Sequence, residues 1–236
     1  MIRAALIFLA LTGAAKAACR DEIWKDVSYT VCEISADADL RLFLDDAAGA
    51  KYASFDRLND ALGGKLTFAM NAGMYHPDRR PVGLYVEDGA EQTRIITADT
   101  SGNFGLLPNG VFCILPGRVD VIESRSYKDA PPGCTYASQS GPMLVIGGKL
   151  HPKFLKGSSY TNIRNGVGVS PDGSKAYFVI SNAPVNFYDF ASYFRERLAV
   201  LNALYFDGRI SRLYAPDLGR EDRGLAMGPI VGVVGE

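Results

Sequence analysis

The stretch Leu201-Asn-Ala-Leu-Tyr-Phe-Asp-Gly-Arg-Ile-Ser-Arg-Leu-Tyr214 is the one around which the rest of the chain can be interpreted. Within it, an apolar run over residues 203–206 ends abruptly at Asp207 and Gly208. A buried strand that stops there delivers a carboxylate to the rim of a sheet, and the glycine lets the backbone turn with positive φ. The alternative is an ordinary turn, because Asp-Gly is among the commonest turn pairs.

The composition is that of an ordinary globular protein. Of 236 residues, 47% are hydrophobic and 22% are charged, which is enough for a sizeable core. The formal net charge of −1 provides no global field that would draw the chain to nucleic acid or to an acidic membrane. We find no fixed repeat and no linker, and therefore expect one domain over residues 18–236.

The N-terminal segment, residues 1–17, has the features of a secretory signal peptide. A positive charge precedes the apolar run 4–11, and residues 15–17 form a small-x-small cleavage site. Cys19 raises the question of a lipoprotein, but Lys16 stands where a lipid-attachment box has an aliphatic residue. We predict a secreted or periplasmic protein with no stable membrane insertion after signal cleavage, since no other long apolar stretch follows.

Four cysteines remain, and an even number in an exported chain predicts two disulfides. Three connectivities are possible. We favour Cys19–Cys32 and Cys113–Cys134, because the members of each pair are close in sequence. The alternative, a metal site, lacks any Cys-x-x-Cys or Cys/His spacing.

Alternating apolar residues and turn pairs predict many short strands. The clearest hairpin joins residues 167–170 to 176–181 through Pro-Asp-Gly. The segment 124–138 is polar and rich in proline, and we expect a loop tethered by Cys134. Further strands are expected over 65–70 and 142–146, in hairpins of 29–34 with 40–44, 82–86 with 93–96 and 111–115 with 119–122, and in the tail 228–234, which would close the sheet.

Two stretches have helical spacing. Ser54 is a good N-cap for apolar residues at helical intervals, which Gly63-Gly64 ends. Residues 190–201 place Phe190, Tyr193, Phe194, Leu198 and Leu201 on one face, and Asp189 or Asn186 can cap that helix. The predicted class is α+β: a single domain with a mixed β-sheet core of many short strands and two or more flanking helices.

Small polar residues collect where several strands begin or end. Neutral amides and hydroxyls with one or two charges suit sugar hydroxyls and phosphate oxygens, and glycines let backbone N–H groups reach an anion. Turn formation alone also favours these residue types. The segments are 71–73, 109–110, 138–142, 161–166, 181–184 and 207–208.

Four of these segments, in order, resemble the phosphodiester glycosidase family, to which the lysosomal uncovering enzyme belongs. They are Asn71-Ala-Gly-Met-Tyr75, Ser140-Gly-Pro-Met-Leu-Val145, Arg164-Asn-Gly-Val-Gly-Val169 and Ala203-Leu-Tyr-Phe-Asp-Gly208. The likeness covers roughly residues 65–213 and implies a glycan substrate joined through a sugar-1-phosphate diester. The family's glycine-rich Asp-Gly segment falls on Phe206–Ser211, although Arg209 and Ile210 stand where the family has glycines.

The chemistry of such a diester assigns two roles. Phosphate leaves without being protonated, so one of the two carboxylates usual in glycoside hydrolysis is dispensable. The site then needs a carboxylate, for which Asp207 is the candidate, and an arginine that holds the phosphate, for which Arg164 is the candidate. The predicted substrate-binding residues are Asn71, Gly73, Tyr75, Asn109, Gln139, Ser140, Gly141, Asn182, Gly208 and Ser211.

Other readings have less support. His76 and His151 have no metal-ligand partner at usable spacing, and we expect no cofactor or metal, although a divalent cation at Asp207 stays open. Ser138 and Ser140 do not lie in a nucleophile elbow. The surviving alternative is a non-catalytic, periplasmic glycan- or phosphoglycan-binding module. Its stacking platforms would be Tyr75, Tyr85, Tyr136 and Tyr160.

Overall fold

The computed structural model describes residues 17–207 and 210–235, so residues 1–16 of the predicted signal peptide lie outside the described chain. Within the described residues, seventeen strands form three sheets, and every paired strand runs antiparallel to its neighbour. The strands are β1 (Ala18–Trp24), β2 (Val27–Ser35), β3 (Leu40–Phe43), β4 (Leu66–Asn71), β5 (Tyr85–Glu87), β6 (Ala90–Thr93), β7 (Gly110–Leu115), β8 (Arg118–Glu123), β9 (Tyr136–Ser140), β10 (Met143–Ile146), β11 (Lys149–Leu150), β12 (Asn165–Val169), β13 (Lys175–Ser181), β14 (Asn202–Tyr205), β15 (Leu213–Ala215), β16 (Arg220–Glu221) and β17 (Ile230–Val234).

The three sheets share one central core. The first sheet has the order β1-β2-β13-β12-β14-β10-β11, the second β16-β15-β4-β17-β3, and the third β6-β5-β9-β7-β8. Phe178 of the first sheet contacts the rings of Phe68 of the second and Phe112 of the third, with centroids 4.9 and 5.6 Å apart. The inward faces of all three sheets are therefore buried against one another.

Short helices cover the outer faces of the sheets. They are α1 (Phe55–Ala61), α2 (Ser124–Asp129) and α3 (Phe187–Ser192), and α3 continues into a π-turn over Tyr193–Arg197. The predicted N-cap of α1 is confirmed, because the Ser54 hydroxyl accepts a hydrogen bond from the N–H of Arg57 at 3.2 Å. The capping of α3 by Asn186 is confirmed as well, since its side chain accepts from the N–H of Asp189 at 2.9 Å.

Three local predictions were wrong. The expected hairpin of 29–34 with 40–44 does not form, because β2 pairs with β13 in the first sheet and β3 pairs with β17 in the second. The segment 124–138 contains α2 and the start of β9 instead of a continuous loop. Leu201 is 48% exposed, because the π-turn and Ala199, which has a φ of 54°, end the helix before that residue.

Both predicted disulfides are present. Cys19–Cys32 joins the edge strand β1 to β2, and Cys113–Cys134 joins β7 to the segment before β9. The predicted hairpins of 111–115 with 119–122 and of 167–170 with 176–181 are confirmed as β7–β8 and β12–β13. No helix within the described part of the chain has the length and apolar character needed to cross a bilayer.

Candidate active site

Asp207 lies two residues beyond β14, a strand paired on both sides in the middle of the first sheet. The two preceding residues, Tyr205 and Phe206, are buried, whereas Asp207 is half-buried. Its backbone oxygen accepts hydrogen bonds from Asn71 Nδ2 at 3.4 Å and from the Ser211 hydroxyl at 3.3 Å. The strand end thus presents a carboxylate at the rim of the sheet, on a backbone held from two sides.

A buried pair of asparagines supports this strand end. Asn165 Nδ2 donates to Asn71 Oδ1 at 3.0 Å and to the Asn71 carbonyl at 3.1 Å, which links β12 of the first sheet to β4 of the second. Asn71 Oδ1 also accepts from the N–H of Arg212 at 2.9 Å. Asn71 and Ser211, predicted to bind substrate, therefore hold the backbone that carries Asp207.

Asp207 lines a first cavity of about 450 Å³, here called the Arg79 cavity. The guanidinium carbon of Arg79 lies 5.6 Å from the centre of the Tyr75 ring, and Arg79 Nη1 donates to the Pro77 carbonyl. Arg79 Nε is buried and has no hydrogen-bond partner among the described residues. The lining residues are Tyr75, His76, Pro77, Arg79, Asp207, Ile210, Leu225 and Ala226.

Burial and the negative charge of Asp207 both affect the pKa of the Tyr75 phenol. Burial raises the pKa of Tyr75 to about 12, and the negative charge of Asp207 contributes to the shift in the same direction. The Tyr75 hydroxyl donates to the Ala226 carbonyl at 3.3 Å. The cavity therefore combines a carboxylate, a neutral phenol and a guanidinium, which suits a ligand that carries both hydroxyl groups and an anionic phosphate.

Asp207 also lines a second cavity of about 330 Å³, here called the Tyr160 cavity. Asp207 lines both cavities. A ligand that occupied both cavities would therefore pass Asp207 at the boundary between them. The lining residues of the Tyr160 cavity are Met74, Gly102, Asn103, Tyr160, Asn162, Tyr205 and Asp207.

Arg164 lies directly behind the Tyr160 cavity. It is 0% exposed and does not belong to the lining residues; its Nε donates to the Val185 carbonyl at 2.8 Å and its Nη1 to the Tyr205 hydroxyl at 3.4 Å. Its guanidinium carbon lies 3.6 Å from the centre of the Phe187 ring. Burial lowers the pKa of Arg164 from its usual value. Because Arg164 bonds to Tyr205, which lines the cavity together with Asp207, the two residues predicted as a catalytic pair lie near the same cavity.

Other predicted substrate-binding side chains are engaged within the protein. Gln139 Oε1 accepts from the N–H groups of Leu84 at 3.0 Å and Ile96 at 2.9 Å, and its residue is buried. The Ser140 hydroxyl donates to the Phe206 carbonyl at 3.0 Å. Asn109 is buried as well, and donates to a neighbouring backbone carbonyl at 3.0 Å. None of these three lines either cavity, and each forms hydrogen bonds with the backbone instead.

The remaining predicted residues lie in different surroundings. Gly73 is buried so tightly that a Cβ would come within 2.4 Å of the Gln139 carbonyl oxygen, and a Cβ on Gly141 would come within 2.7 Å of Asn109 Cβ. Asn182 is exposed and accepts from Arg220 Nη1 at 2.7 Å, away from both cavities. Gly208 lies outside the described residues.

The four tyrosines expected as stacking platforms divide into two groups. Tyr75 and Tyr160 line the two cavities, whereas Tyr85 and Tyr136 are buried in the core. Arg79 is not among the site residues predicted from the sequence. Its position four residues after Tyr75, in the loop that follows β4, is the signal that could have found it.

Among the described residues, no group of three or more His, Cys, Asp or Glu side chains is close enough together to bind a metal ion. His76 lines the Arg79 cavity, and His151 is buried beside the Leu107 carbonyl, 3.0 Å from its Nε2.

Comparisons with known proteins match this architecture. Residues 64–221 match the model of a family described as phosphodiester glycosidase. The uncharacterised protein YigE of Escherichia coli K12 is 36% identical over 169 residues, which cover 72% of this chain and 65% of YigE. The matched region thus spans less than two thirds of that relative's length.

Two solved structures share the fold. The catalytic domain of zebrafish N-acetylglucosamine-1-phosphodiester α-N-acetylglucosaminidase, auto-inhibited by its pro-peptide, aligns with a TM-score of 0.59 at 12% identity, over 94% of this chain and 83% of that one. A presumed exported protein of Burkholderia pseudomallei K96243 aligns with a TM-score of 0.54 at 11% identity, over 88% and 74%. At these identities the two structures establish the likeness of fold alone.

Proposed function

Because this chain belongs to the phosphodiester glycosidase family, we propose that it is an exported hydrolase that cleaves glycosyl-phosphate diesters at the sugar-1-phosphate linkage. One observation carries the proposal: Asp207 is shared by two adjoining cavities, one containing the Arg79 guanidinium and the other backed by Arg164. A substrate with a sugar on one side of its scissile bond and a phosphate on the other fits two compartments that meet at a carboxylate.

The proposed reaction breaks the bond between the anomeric carbon and the phosphate oxygen. Water attacks the anomeric carbon, the Asp207 carboxylate accepts a proton from that water, and the electron pair of the broken bond leaves with the phosphate oxygen. The products are the free sugar and a phosphomonoester. Since the phosphate departs as an anion that needs no protonation, one carboxylate is sufficient.

The two arginines receive different proposed roles. Arg79 lines a cavity together with Asp207, and its guanidinium suits charge-assisted hydrogen bonds to phosphate oxygens. The Arg164 guanidinium already donates hydrogen bonds to the Val185 carbonyl and the Tyr205 hydroxyl. We therefore propose that Arg164 positions Tyr205 in the wall of the Tyr160 cavity. The Tyr205 phenol, whose pKa is raised mainly by burial, then presents a neutral hydroxyl to the sugar.

Export is proposed on separate grounds. Two disulfides form readily in an oxidising compartment, such as the periplasm or the extracellular space. One protein of similar fold is itself presumed to be exported. The signal-like sequence over residues 1–17 supplies the route.

The test is hydrolysis of a panel of glycosyl-1-phosphate methyl diesters by the oxidised, purified protein, with release of reducing sugar as the readout. We expect turnover of at least one sugar, and a loss of about 10²- to 10⁴-fold in kcat for Asp207→Asn. Asp217→Asn, which alters an exposed carboxylate outside both cavities, serves as the matched control. Undiminished turnover in Asp207→Asn would exclude the assignment. Binding of the panel without turnover would instead favour the glycan-binding module.

A further inference from the structure

A third cavity, of about 480 Å³, lies on the outer face of the first sheet beside α3 and is not used by the proposed reaction. It is here called the Trp24 cavity. Its floor comes from the β1–β2 hairpin, and one side comes from α3 and the π-turn. The lining residues are Trp24, Lys25, Val27, Tyr29, Lys156, Tyr188, Asp189, Ser192 and Glu196.

Two hydroxyl groups in this wall have no hydrogen-bond partner within the described part of the chain. The Tyr29 hydroxyl and the Ser192 hydroxyl are buried and form no hydrogen bond with any described residue, and their residues are 0% and 3% exposed. A buried hydroxyl without a partner is costly, and native proteins rarely keep one without a use. That both line one cavity indicates a ligand with hydroxyl groups of its own, because each such group both donates and accepts.

The charges around the cavity balance. Lys25 and Lys156 contribute two cations, and Asp189 and Glu196 contribute two carboxylates. The Lys25 ammonium is paired with Glu196 Oε2 at 2.6 Å. No net field favours an anion such as phosphate, so the wall suits a neutral ligand that forms many hydrogen bonds. The Lys25 ammonium lies over the Trp24 ring, 4.2 Å from its centroid. The ring of Tyr188 therefore supplies the apolar surface on which one face of a sugar ring can rest.

The local backbone places these groups together. Tyr188 and Asp189 lie four and three residues before Ser192, and Glu196 lies four residues after it, so these side chains share one face of α3 and its continuation. The continuation is a π-turn, a local feature that occurs frequently at functional sites. Tyr29 is held from below, because its ring stacks on Tyr193 with centroids 4.2 Å apart.

The Trp24 cavity lies along the same sheet as the site at Asp207. Tyr205 pairs with Gly166, Gly166 with Val179, and Val179 with Val31. Tyr29 is two residues from Val31 on the same strand, so it lies about 14 Å across the sheet and about 7 Å along it from Tyr205. Tyr205 and Tyr29 belong to the same buried cluster on that face.

One loop connects the two cavities. Lys156 lines the Trp24 cavity, and Tyr160, four residues later in the same loop, lines the Tyr160 cavity. Single-sugar substrates cannot span the separation between Tyr205 and Tyr29, but an oligosaccharide can.

We propose that the Trp24 cavity is a secondary binding site for a neutral sugar of a glycan chain. The binding itself needs no reaction at Asp207. A second part of the inference rests on the proposed function: the bound sugar belongs to the same glycan whose phosphodiester lies at Asp207, so the substrate is an oligosaccharide or polymer.

Trp24 makes the binding measurable, because it is the single tryptophan of the chain. The probes are an N-acetylglucosamine trimer, maltotriose and an α-linked mannotriose, titrated while tryptophan fluorescence and heat of binding are recorded. We expect a saturable change with at least one probe, at a Kd of about 1 mM or tighter. Absence of both a fluorescence change and heat with all three probes would overturn the proposal.

Variants localise the response. Tyr29→Phe removes the hydroxyl and keeps the ring, so we expect an unchanged or higher Tm and binding weaker by up to about tenfold. Tyr188→Ala removes a sugar-facing ring and should weaken binding similarly. Tyr52→Phe, a half-buried phenol in the cluster beneath α1, is the matched control. Binding that is unchanged in both Tyr29→Phe and Tyr188→Ala would contradict the assignment.

The two proposals can fail separately. Asp207→Asn should lower kcat for hydrolysis by about 10²- to 10⁴-fold and leave the fluorescence response intact. If the protein hydrolyses diesters, Tyr188→Ala should raise KM for an oligosaccharide diester and leave KM for a monosaccharide diester unchanged. A KM for the oligosaccharide diester that is the same in Tyr188→Ala as in the unsubstituted protein would overturn the shared-glycan part and leave the proposed hydrolysis standing.

Discussion

Arg164 Nη1 donates a hydrogen bond of 3.4 Å to the hydroxyl of Tyr205, two residues before Asp207. The contact joins the start of β12 to the end of β14, and it positions a phenol in the same cavity wall as the carboxylate. Arg164 thereby influences the candidate site from a position that no solvent reaches.

The buried guanidinium should be essential to stability. A lysine cannot reproduce its bonds to the Val185 carbonyl and the Tyr205 hydroxyl together with the stacking on Phe187. We expect Arg164→Lys to lower the free energy of unfolding by about 2–3 kcal/mol, because it leaves buried acceptors unpaired. Urea denaturation measures this, with Arg125→Lys, an exposed arginine on α2, as the control. A change below about 0.5 kcal/mol in Arg164→Lys would contradict the burial described here.

Arg79 should affect substrate binding more than folding. It lines the Arg79 cavity, and its proposed partners are phosphate oxygens. We expect Arg79→Ala to raise KM for a glycosyl-phosphate diester by about 10- to 100-fold, with little change in Tm. Arg80→Ala removes the adjacent exposed arginine, which pairs with Asp78, and should leave KM nearly unchanged. Equal KM values in the two variants would remove Arg79 from the phosphate site.

Asn71 should act as a positioning residue. Its side chain accepts from Arg212 N–H and Asn165 Nδ2 and donates to the Asp207 carbonyl. We expect Asn71→Ala to lower kcat by more than about tenfold, because a small displacement of the carboxylate is costly, while KM changes less. Steady-state kinetics on the folded variant separate the two constants. A rise in KM with unchanged kcat would show that Asn71 binds substrate instead.

Alkaline pH should destabilise the protein through its buried phenols. Burial and the charge of Asp207 raise the pKa of Tyr75 from 10 to about 12, and burial also raises those of Tyr205 and Tyr193. The folded state holds these protons more tightly than the unfolded chain. The stability they confer is therefore fully present below pH 10 and is lost as pH rises towards 12 and above.

Unfolding free energies measured at pH values from below 10 up to about 12, the range over which the Tyr75 pKa is raised, test this expectation. We expect a plateau at the lower end and a decline above pH 10, with a shallower decline in Tyr75→Phe. Asp207→Asn should lower the pKa of Tyr75, which ultraviolet difference spectra against Tyr75→Phe can detect. An unchanged Tyr75 titration would contradict the proximity of the two groups.

The two disulfides should make similar contributions to the free energy of unfolding. They close loops with sequence separations of 13 and 21 residues, for which chain entropy predicts about 3 kcal/mol each, slightly more for the longer loop. Paired serine substitutions of Cys19 with Cys32 and of Cys113 with Cys134, followed by urea denaturation, measure each contribution. Stability that is unaffected in both double variants would show that the unfolded chain is not constrained by either bond.

Local signals in the sequence were sufficient for several features. The cysteine spacing predicted both disulfides, the capping pattern predicted α1, and the alternation around Pro171-Asp-Gly173 predicted the β12–β13 hairpin. These features depend on residues that are close in the chain, so their patterns are visible without the fold. The predicted end of α3 was wrong. Neither the π-turn nor the left-handed conformation of Ala199 produces a distinct pattern of apolar residues in the sequence.

By itself the sequence determined that a strand ends shortly before Asp207, that the flanking segments resemble those of the phosphodiester glycosidase family, and that Tyr75 and Asp207 belong to the candidate site. Only the tertiary structure decided that Arg79 shares a cavity with Asp207, that Arg164 stands behind the Tyr160 cavity, and that Asn71 supports the site from within the core. The physical reason is that the same types of polar residue occur at strand ends whether their side chains line a cavity or hold the backbone around it by hydrogen bonds. Which role each takes depends on pairing between strands far apart in the chain, and that pairing leaves no periodic mark in the sequence.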